Sequence, residues 1–241
     1  MTKTKTHREI KNPQMSARYL ADYMAASETT KRTIVRNCKY QPIARVIQHD
    51  EAKSIIAKYL TDAMGNTAFL ASRVQELRGR LADDDFYRSL FDHNAAYVEH
   101  FLSKVADLDI PSADILLPGK PPAIVLEGLK VTVDIRARFR RLTKTNKVKV
   151  GALAMRYSKG KPLPLTVAEW QSAFIYGYLT ATGIEDGAEV EQALCLTLDS
   201  HEGKFHPAPS DAISRFKNMR AACASIVERW QNVKPPPGAI L

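Results

Sequence analysis

The amino-acid sequence predicts a mixed α/β protein in which an N-terminal helical region precedes a small mixed sheet flanked by helices. Through the first 105 residues the apolar side chains recur at helical spacing, most clearly at Leu70, Val74 and Leu77. From residue 106 onward the apolar period changes to two, and the alternation is unbroken from Leu129 to Phe139. The chain has 241 residues, of which 45% are hydrophobic, so it can bury a sizeable core without metals or disulfides.

The composition argues against several classes of protein. No apolar run approaches the roughly 20 residues that a membrane-spanning helix needs, and the polar, basic start of the chain lacks the apolar stretch of a secretory signal. Cys38, Cys195 and Cys223 are far apart and lack CxxC spacing, so neither a disulfide framework nor a zinc site is expected. We therefore expect a soluble, cytoplasmic protein with reduced thiols and no membrane partner.

Only helices are expected in the first third of the chain. Ser16 suits the N-cap of the first helix, and Ser27 with Glu28 suits the start of the second. Three consecutive aspartates at residues 83–85 favour the start of a fifth helix, because the helix dipole attracts anions at that end. The expected helices lie at residues 16–24, 27–38, 50–64, 67–81 and 83–105.

The second half of the chain is expected to form strands and two further helices. The prolines of residues 118–122 exclude that loop from a central strand, and Gly128 separates the first strand from the alternating one. The middle of residues 147–157 is apolar on both faces, as in a central buried strand. Thr166 and Glu169 form a capping-box pattern ahead of a helix. The expected elements are strands at 123–126, 129–139 and 147–157, a helix at 166–183, strands at 190–199 and 204–206, and a helix at 210–230.

The same pattern divides the chain into four segments. Pro13 ends a polar, basic start, and the prolines of residues 235–237 stop the last helix. We expect a basic flexible tail at residues 1–15, a helical region at 16–82, an α/β core domain at 83–232 and a Pro-rich tail at 233–241.

Positive charge is concentrated in two parts of the chain. The formal net charge is +9, yet residues 1–40 hold nine lysines and arginines against three acids, and residues 135–168 hold ten against none. Such clusters create a field that attracts polyanions, so DNA or RNA is the expected partner. The candidate phosphate-binding residues are Lys31, Arg32, Arg36, Lys39, Arg136, Arg138, Arg140, Arg141, Lys144, Lys147 and Lys149.

The element order also resembles that of a known nuclease core. Counted from the helix that begins at Asp83, the order α-β-β-β-α-β resembles the PD-(D/E)XK superfamily over residues 83–200. The resemblance implies an aspartate on the second core strand and Glu-x-Lys on the third, where carboxylates hold Mg²⁺ and the lysine activates water. Asp134 stands at the matching place, midway along the second expected strand, and Glu99 of the first helix is the candidate for a further carboxylate. The third strand reads Val-Gly-Ala-Leu-Ala at residues 150–154, so the motif is expected to be degenerate.

Three hypotheses of function follow. The first is a nucleic-acid-binding protein on a nuclease-like core, of the kind found in mobile-element or defence complexes, without a cofactor and with catalysis lost. The second is an enzyme, a Mg²⁺-dependent DNA endonuclease with relocated ligands, in which Asp134 and Glu99 hold the metal. Its further candidates are Glu127 or Asp199 as a third ligand, and Lys149 or Lys159 for positioning the water. The third is a subunit of a multiprotein complex, in which a protein partner covers exposed helices.

Overall fold

The computed structural model describes residues 5–43, 49–158, 160–183 and 185–241. In this part of the chain the protein is a mixed α/β structure with seven helices and ten strands, which confirms the predicted fold class. The helices are α1 (Ala17–Ala25), α2 (Glu28–Lys39), α3 (Asp50–Asp62), α4 (Thr67–Gly79), α5 (Asp85–Leu102), α6 (Leu165–Thr182) and α7 (Ala212–Trp230). The strands are β1 (His7–Glu9), β2 (Gln14–Ser16), β3 (Tyr40–Pro42), β4 (Asp114–Leu116), β5 (Ile124–Leu126), β6 (Leu129–Thr132), β7 (Ala137–Leu142), β8 (Val148–Arg156), β9 (Glu189–Asp199) and β10 (Lys204–Pro207).

The central sheet has five strands in the order β10-β9-β8-β7-β4. β7 is antiparallel to both of its neighbours, β4 and β8. The helix α6 then returns the chain, so that β9 lies parallel beside β8. With α5 in front, this is an α-β-β-β-α-β order. The first strand of the series is β4, whereas the sequence predicts residues 123–126. That segment forms β5 in a separate sheet of order β2-β6-β5.

The alternation from Leu129 to Phe139 predicts one strand, but the structure divides it into β6 and β7, with residues 133–136 outside either strand. β6 belongs to the small sheet and β7 to the central sheet, and their buried side chains enter different hydrophobic clusters. The prediction of one strand is wrong because alternation reports which side chains are buried and not which neighbour is hydrogen-bonded. Asp134 therefore lies in the connecting segment and not midway along a strand.

Three short strands interrupt the first third of the chain, which the sequence pattern predicts to be entirely helical. β1 pairs with β3 and β2 pairs with β6. Each strand has three residues, too few to show a period of two against the helical background. The backbone N–H groups of Thr6 and His7 also donate to the carbonyl of Ile240, so the two tail segments are hydrogen-bonded to each other.

Helices cover both faces of the central sheet. One hydrophobic cluster gathers side chains of α1, α2, α6 and α7, and the other gathers those of α3, α4 and α5. Along β8, Ala152 and Ala154 enter the first cluster, and Leu153 and Met155 enter the second. The predicted burial of this strand on both faces is confirmed. The helical region at residues 16–82 therefore supplies helices to both faces.

Two glycines allow close approaches in the core, one between β8 and β9 and the other between α6 and α7. A Cβ placed on Gly151 of β8 would lie 2.1 Å from the carbonyl oxygen of Leu194 on β9, at a register shift between the two strands. A Cβ placed on Gly177 of α6 would lie 2.1 Å from the ring of Phe216 on α7. Both glycines are buried. The contact of α6 with α7 therefore depends on the absence of a side chain at Gly177.

The three cysteines are free and buried. Burial raises the pKa of the Cys38, Cys195 and Cys223 thiols to about 12. These thiols are therefore neutral at ordinary pH and belong to the core. Among the helices that the structure describes, none has the length and apolar character needed to span a bilayer.

We expect Gly177→Ala to lower the free energy of unfolding by about 1–3 kcal/mol, because the added methyl group meets the Phe216 ring in a packed core. Gly79→Ala is the matched control, since Gly79 is also helical but has open space around its Cα. That substitution should leave stability unchanged or raise it by up to about 1 kcal/mol. Urea unfolding followed by circular dichroism measures both values. Equal effects of the two substitutions would contradict the packing argument.

Candidate nucleic-acid interface

Asp134 lies beside a small cavity where the chain passes from the small sheet to the central sheet. The cavity has a volume of about 90 Å³, and its lining includes Lys53 of α3, Ala154 of β8 and Gln171 of α6. Lys53 Nζ donates to Asp134 Oδ2 at 2.8 Å, and the guanidinium of Arg136 contacts Oδ1. Asp134 thus lies next to β8, and Ala154 of that strand lines the same cavity.

Two cations hold the Asp134 carboxyl in its ionised form. Burial raises its pKa, but Lys53 and Arg136 together lower it by more, so the pKa of Asp134 lies below its ordinary value. Arg136 also contacts the carboxylate of Asp50 on α3. Both carboxylate oxygens of Asp134 therefore have cationic partners in the structure, and a metal ion would have to displace them.

The other predicted ligands do not gather around Asp134. Glu99 binds Arg78 of the neighbouring helix α4, and it does not line the Asp134 cavity. Glu127 contacts Arg220 of α7. Asp199 is buried, and it accepts hydrogen bonds from backbone N–H groups of the turn that follows β9 and of residue 163. Among the described residues, no group of three or more His, Cys, Asp or Glu side chains could hold a metal ion.

The basic residues of β7 and β8 are largely ion-paired with acids that come later in the chain. Arg138 and Arg140 lie 3.9 and 3.1 Å from Glu185, in the loop between α6 and β9. Arg141 Nε donates to Glu191 at 2.9 Å. Lys147 and Lys149 both contact Glu189, whose pKa is lowered by these hydrogen bonds. Lys144 lies exposed in the turn between β7 and β8.

Strand order explains this compensation. Arg141 is paired with Lys149 across β7 and β8, and Lys149 is paired with Glu189 across β8 and β9. The parallel crossover through α6 thus places an acidic strand beside a basic one, although 40 residues separate Lys149 from Glu189. The acid-free segment at residues 135–168 is therefore much less positive in the fold than in the sequence. Lys159, a candidate within it, lies outside the described residues.

A second basic surface lies between α2 and the end of α7. It forms a groove of about 480 Å³, which we call the α2–α7 groove, with Tyr23, Val35 and Ile226 among its apolar lining residues. Glu228 is the acid among the described lining residues, and Lys31 is also paired with the exposed Glu28 at 2.9 Å. The basic residues that line the groove are Lys31, Arg32, Arg36, Arg229 and Lys234.

Lys39 is separated from the other basic residues of α2, because its ammonium points into the protein. The side chain is 5% exposed, and Nζ donates to the carbonyl oxygens of Trp230 at 2.9 Å and Val233 at 3.3 Å. Tyr40 adds a hydrogen bond to Val233. A cation in this position satisfies the free carbonyls at the C-terminus of a helix and complements its dipole. Lys39 therefore joins α2 to α7 and is not presented to a ligand.

Arg229 and Lys234 belong to the groove but were not among the residues that the sequence predicts. They bracket the end of the last helix, where basic residues are ordinarily explained by the helix dipole. Their nearness to α2 is a tertiary contact made by Lys39 and Tyr40, so no local pattern indicates it.

No protein family and no curated protein matches the chain, so the assignment of a function depends on this geometry.

We expect Lys39→Met to lower the free energy of unfolding by about 2–3 kcal/mol, because buried carbonyl oxygens at the end of α7 lose a charged donor. Arg36→Ala is the matched control on the same helix and should change stability by no more than about 0.5 kcal/mol, since Arg36 lines an open groove. Thermal and urea unfolding measure both. A Lys39→Met protein as stable as the parent would show that the ammonium does not hold the two helices together.

We expect no cleavage of plasmid or oligonucleotide by the purified protein at millimolar Mg²⁺ or Mn²⁺. The reason is that the described residues bring no group of ligands to Asp134, whose oxygens are already ion-paired. Asp134→Ala should therefore change thermal stability and leave nucleic-acid cleavage at background. Asp109→Ala, an exposed acid elsewhere, controls for charge. Metal-dependent cleavage that is lost in Asp134→Ala and kept in Asp109→Ala would restore the endonuclease hypothesis.

Proposed function

We propose that this protein binds nucleic acid through its phosphate backbone, at the α2–α7 groove, and that its nuclease-like core no longer cleaves. The observation that carries the proposal is the convergence of basic side chains from two distant parts of the chain on one groove. Lys31, Arg32 and Arg36 come from α2, and Arg229 and Lys234 come from the end of α7 and the segment after it. A concave surface with a large excess of one charge concentrates its field and attracts polyanions.

The kind of cation supports phosphate as the ligand. Three of the five basic groove residues are arginines, whose planar guanidinium groups bind phosphate oxygens with two parallel hydrogen bonds. Arg32 and Arg229 are exposed. Glu228 is the acid among the described residues that line the groove, and Glu28 pairs with Lys31 and lies within electrostatic reach of Arg32 and Arg229, so the five cations still outnumber these two carboxylates. A phosphate that enters the groove therefore meets the exposed guanidinium groups of Arg32 and Arg229.

The strand surface is the weaker of the two predicted contacts. Arg141, Lys147 and Lys149 already have carboxylate partners, and a phosphate must displace Glu189 or Glu191 to bind them. Lys144 remains available in its turn. We expect the α2–α7 groove to supply most of the affinity and the strand surface to add a smaller, salt-sensitive part. The cytoplasm is the compartment in which such a protein would meet its ligand.

The α-β-β-β-α-β order of the central sheet supports the view that the core is nuclease-like. The order begins at α5 and runs through β4, β7, β8, α6 and β9. Ala154 stands in the cavity of Asp134, where the resemblance calls for an acid on the third strand. A nuclease-like core without metal ligands can keep a shape suited to nucleic acid although it cannot cleave the phosphodiester bond. We propose that this is how the fold of this protein is related to its function.

We expect the affinity for duplex DNA to fall steeply with salt, with a slope of log K against log salt of about 0.9 per contacted phosphate. Replacing Arg32, Arg36 and Arg229 together by alanine should reduce the magnitude of that slope by about 2 to 3. The measurement is fluorescence anisotropy of labelled duplex DNA, single-stranded DNA and RNA over a series of salt concentrations. The physical reason is that binding releases fewer counterions from the DNA when fewer cations contact its phosphates.

The matched control removes the same formal charge from the strand surface, by replacing Arg141, Lys147 and Lys149 with alanine. The slope should then fall by less than about 1, because these cations are neutralised by Glu189 and Glu191. A larger loss in this variant than in the groove variant would move the interface to the strands. A parent protein that binds no nucleic acid at low salt, but binds an acidic peptide in the groove, would overturn the proposed function.

A further inference from the structure

A second cavity lies on the other flank of α2, close to the α2–α7 groove. Its volume is about 480 Å³, and we call it the amide pocket because three side-chain amides line it, those of Gln14, Asn37 and Gln41. Tyr19 of α1 stands at its side, and the sulfur-containing side chains of Met15 and Cys38 form a buried apolar part. No lysine, arginine or carboxylate is present among the described residues that line it. Its chemistry therefore differs from that of the groove.

The lining of the amide pocket combines an exposed ring with uncharged hydrogen-bonding groups. The Tyr19 side chain is largely accessible, at 47% exposure. Gln41 uses its Oε1 to accept a hydrogen bond from Arg8, which leaves its NH₂ group for another acceptor. The amides of Gln14 and Asn37 have no hydrogen-bond partner among the described residues. An aromatic face with nearby amides is the set of groups that binds an unpaired nucleobase, by stacking and by hydrogen bonds to its edge.

The position of the pocket relative to the groove follows from consecutive residues of one helix. Arg36 lines the α2–α7 groove and Asn37, the next residue, lines the amide pocket. Successive side chains of an α-helix diverge by about 100°, so the two residues point to different sides of α2 while their Cα atoms are about 3.8 Å apart. A chain whose phosphate lies against Arg36 can therefore place a neighbouring base beside Asn37.

We propose that the amide pocket receives an unpaired base of the nucleic acid whose phosphates lie in the α2–α7 groove, so that the ligand is single-stranded. This inference rests on the proposed function and adds the class of substrate to it. A duplex keeps its bases stacked and paired, and it cannot place one in a cavity that is walled by Tyr19 and by buried side chains. The groove supplies salt-dependent affinity, and the amide pocket supplies the preference for single strands.

The test compares three labelled ligands by fluorescence anisotropy at one salt concentration. They are a single-stranded oligonucleotide of about twelve nucleotides, an abasic oligomer with the same number of phosphates, and a duplex of the same sequence. The single strand is tested as DNA and as RNA. We expect the base-containing strand to bind about tenfold more tightly than the abasic oligomer. Tyr19→Ala should remove this difference without weakening the binding of the abasic oligomer.

Two further variants separate stacking from folding and from phosphate contact. Tyr19→Phe keeps the ring and should keep the tenfold preference, and Asn37→Ala should reduce it in a protein of unchanged thermal stability. The groove variant with Arg32, Arg36 and Arg229 replaced should weaken binding of both oligomers equally. If the parent protein binds the base-containing and abasic oligomers with equal affinity, the amide-pocket inference is overturned and the proposed binding of phosphates in the α2–α7 groove still stands. Failure of every nucleic acid to bind would overturn the proposed function and this inference together.

Discussion

The packing of helices and strands in this protein depends on one constraint, the close approach of α6 to the central sheet. It requires small side chains on the α6 side of β8, and the sequence supplies them as Ala152 and Ala154. These are also the positions at which the nuclease-like pattern would carry an acid and a lysine. A carboxylate at Ala152, which is fully buried, would have to lose its hydration beneath α6. The small residues that allow the close packing of the core are therefore the same residues that separate this strand from the nuclease-like pattern.

The same close packing concentrates buried polar groups at the end of β8. Arg156 is 8% exposed, and its guanidinium contacts Asp22 of α1 and Gln171 of α6. Burial lowers the pKa of Arg156, and Asp22 offsets part of that effect. The network connects the first helix of the chain to the core of the sheet. As a result, Tyr19, which lies on α1 three residues before Asp22, is held at a defined position relative to β8.

Long periodic segments could be predicted from the sequence, and contacts between distant segments could not. The spacing of Leu70, Val74 and Leu77 covers two turns, and the helix α4 is where it predicts. β1 and β3 are defined by their pairing with each other, which three residues cannot reveal. The neutralisation of Lys149 by Glu189 depends on a parallel crossover, so a charge count along the chain overestimates the positive surface. Arg36 and Arg229 share a groove because Lys39, Tyr40 and a shared hydrophobic cluster hold α2 against α7.

The position of the Lys39 ammonium has a consequence for the heat-capacity change on ligand binding. It fixes the two walls of the α2–α7 groove to each other before any ligand arrives, through the carbonyl oxygens of Trp230 and Val233. A ligand therefore meets a preorganised surface and does not have to order a loop or close two helices around itself. Coupled folding would contribute a large negative heat-capacity change, whereas docking to a fixed groove contributes that of the covered apolar surface alone. Binding of the proposed ligand should therefore have a heat-capacity change set by the contact area, with little contribution from the protein's own reorganisation.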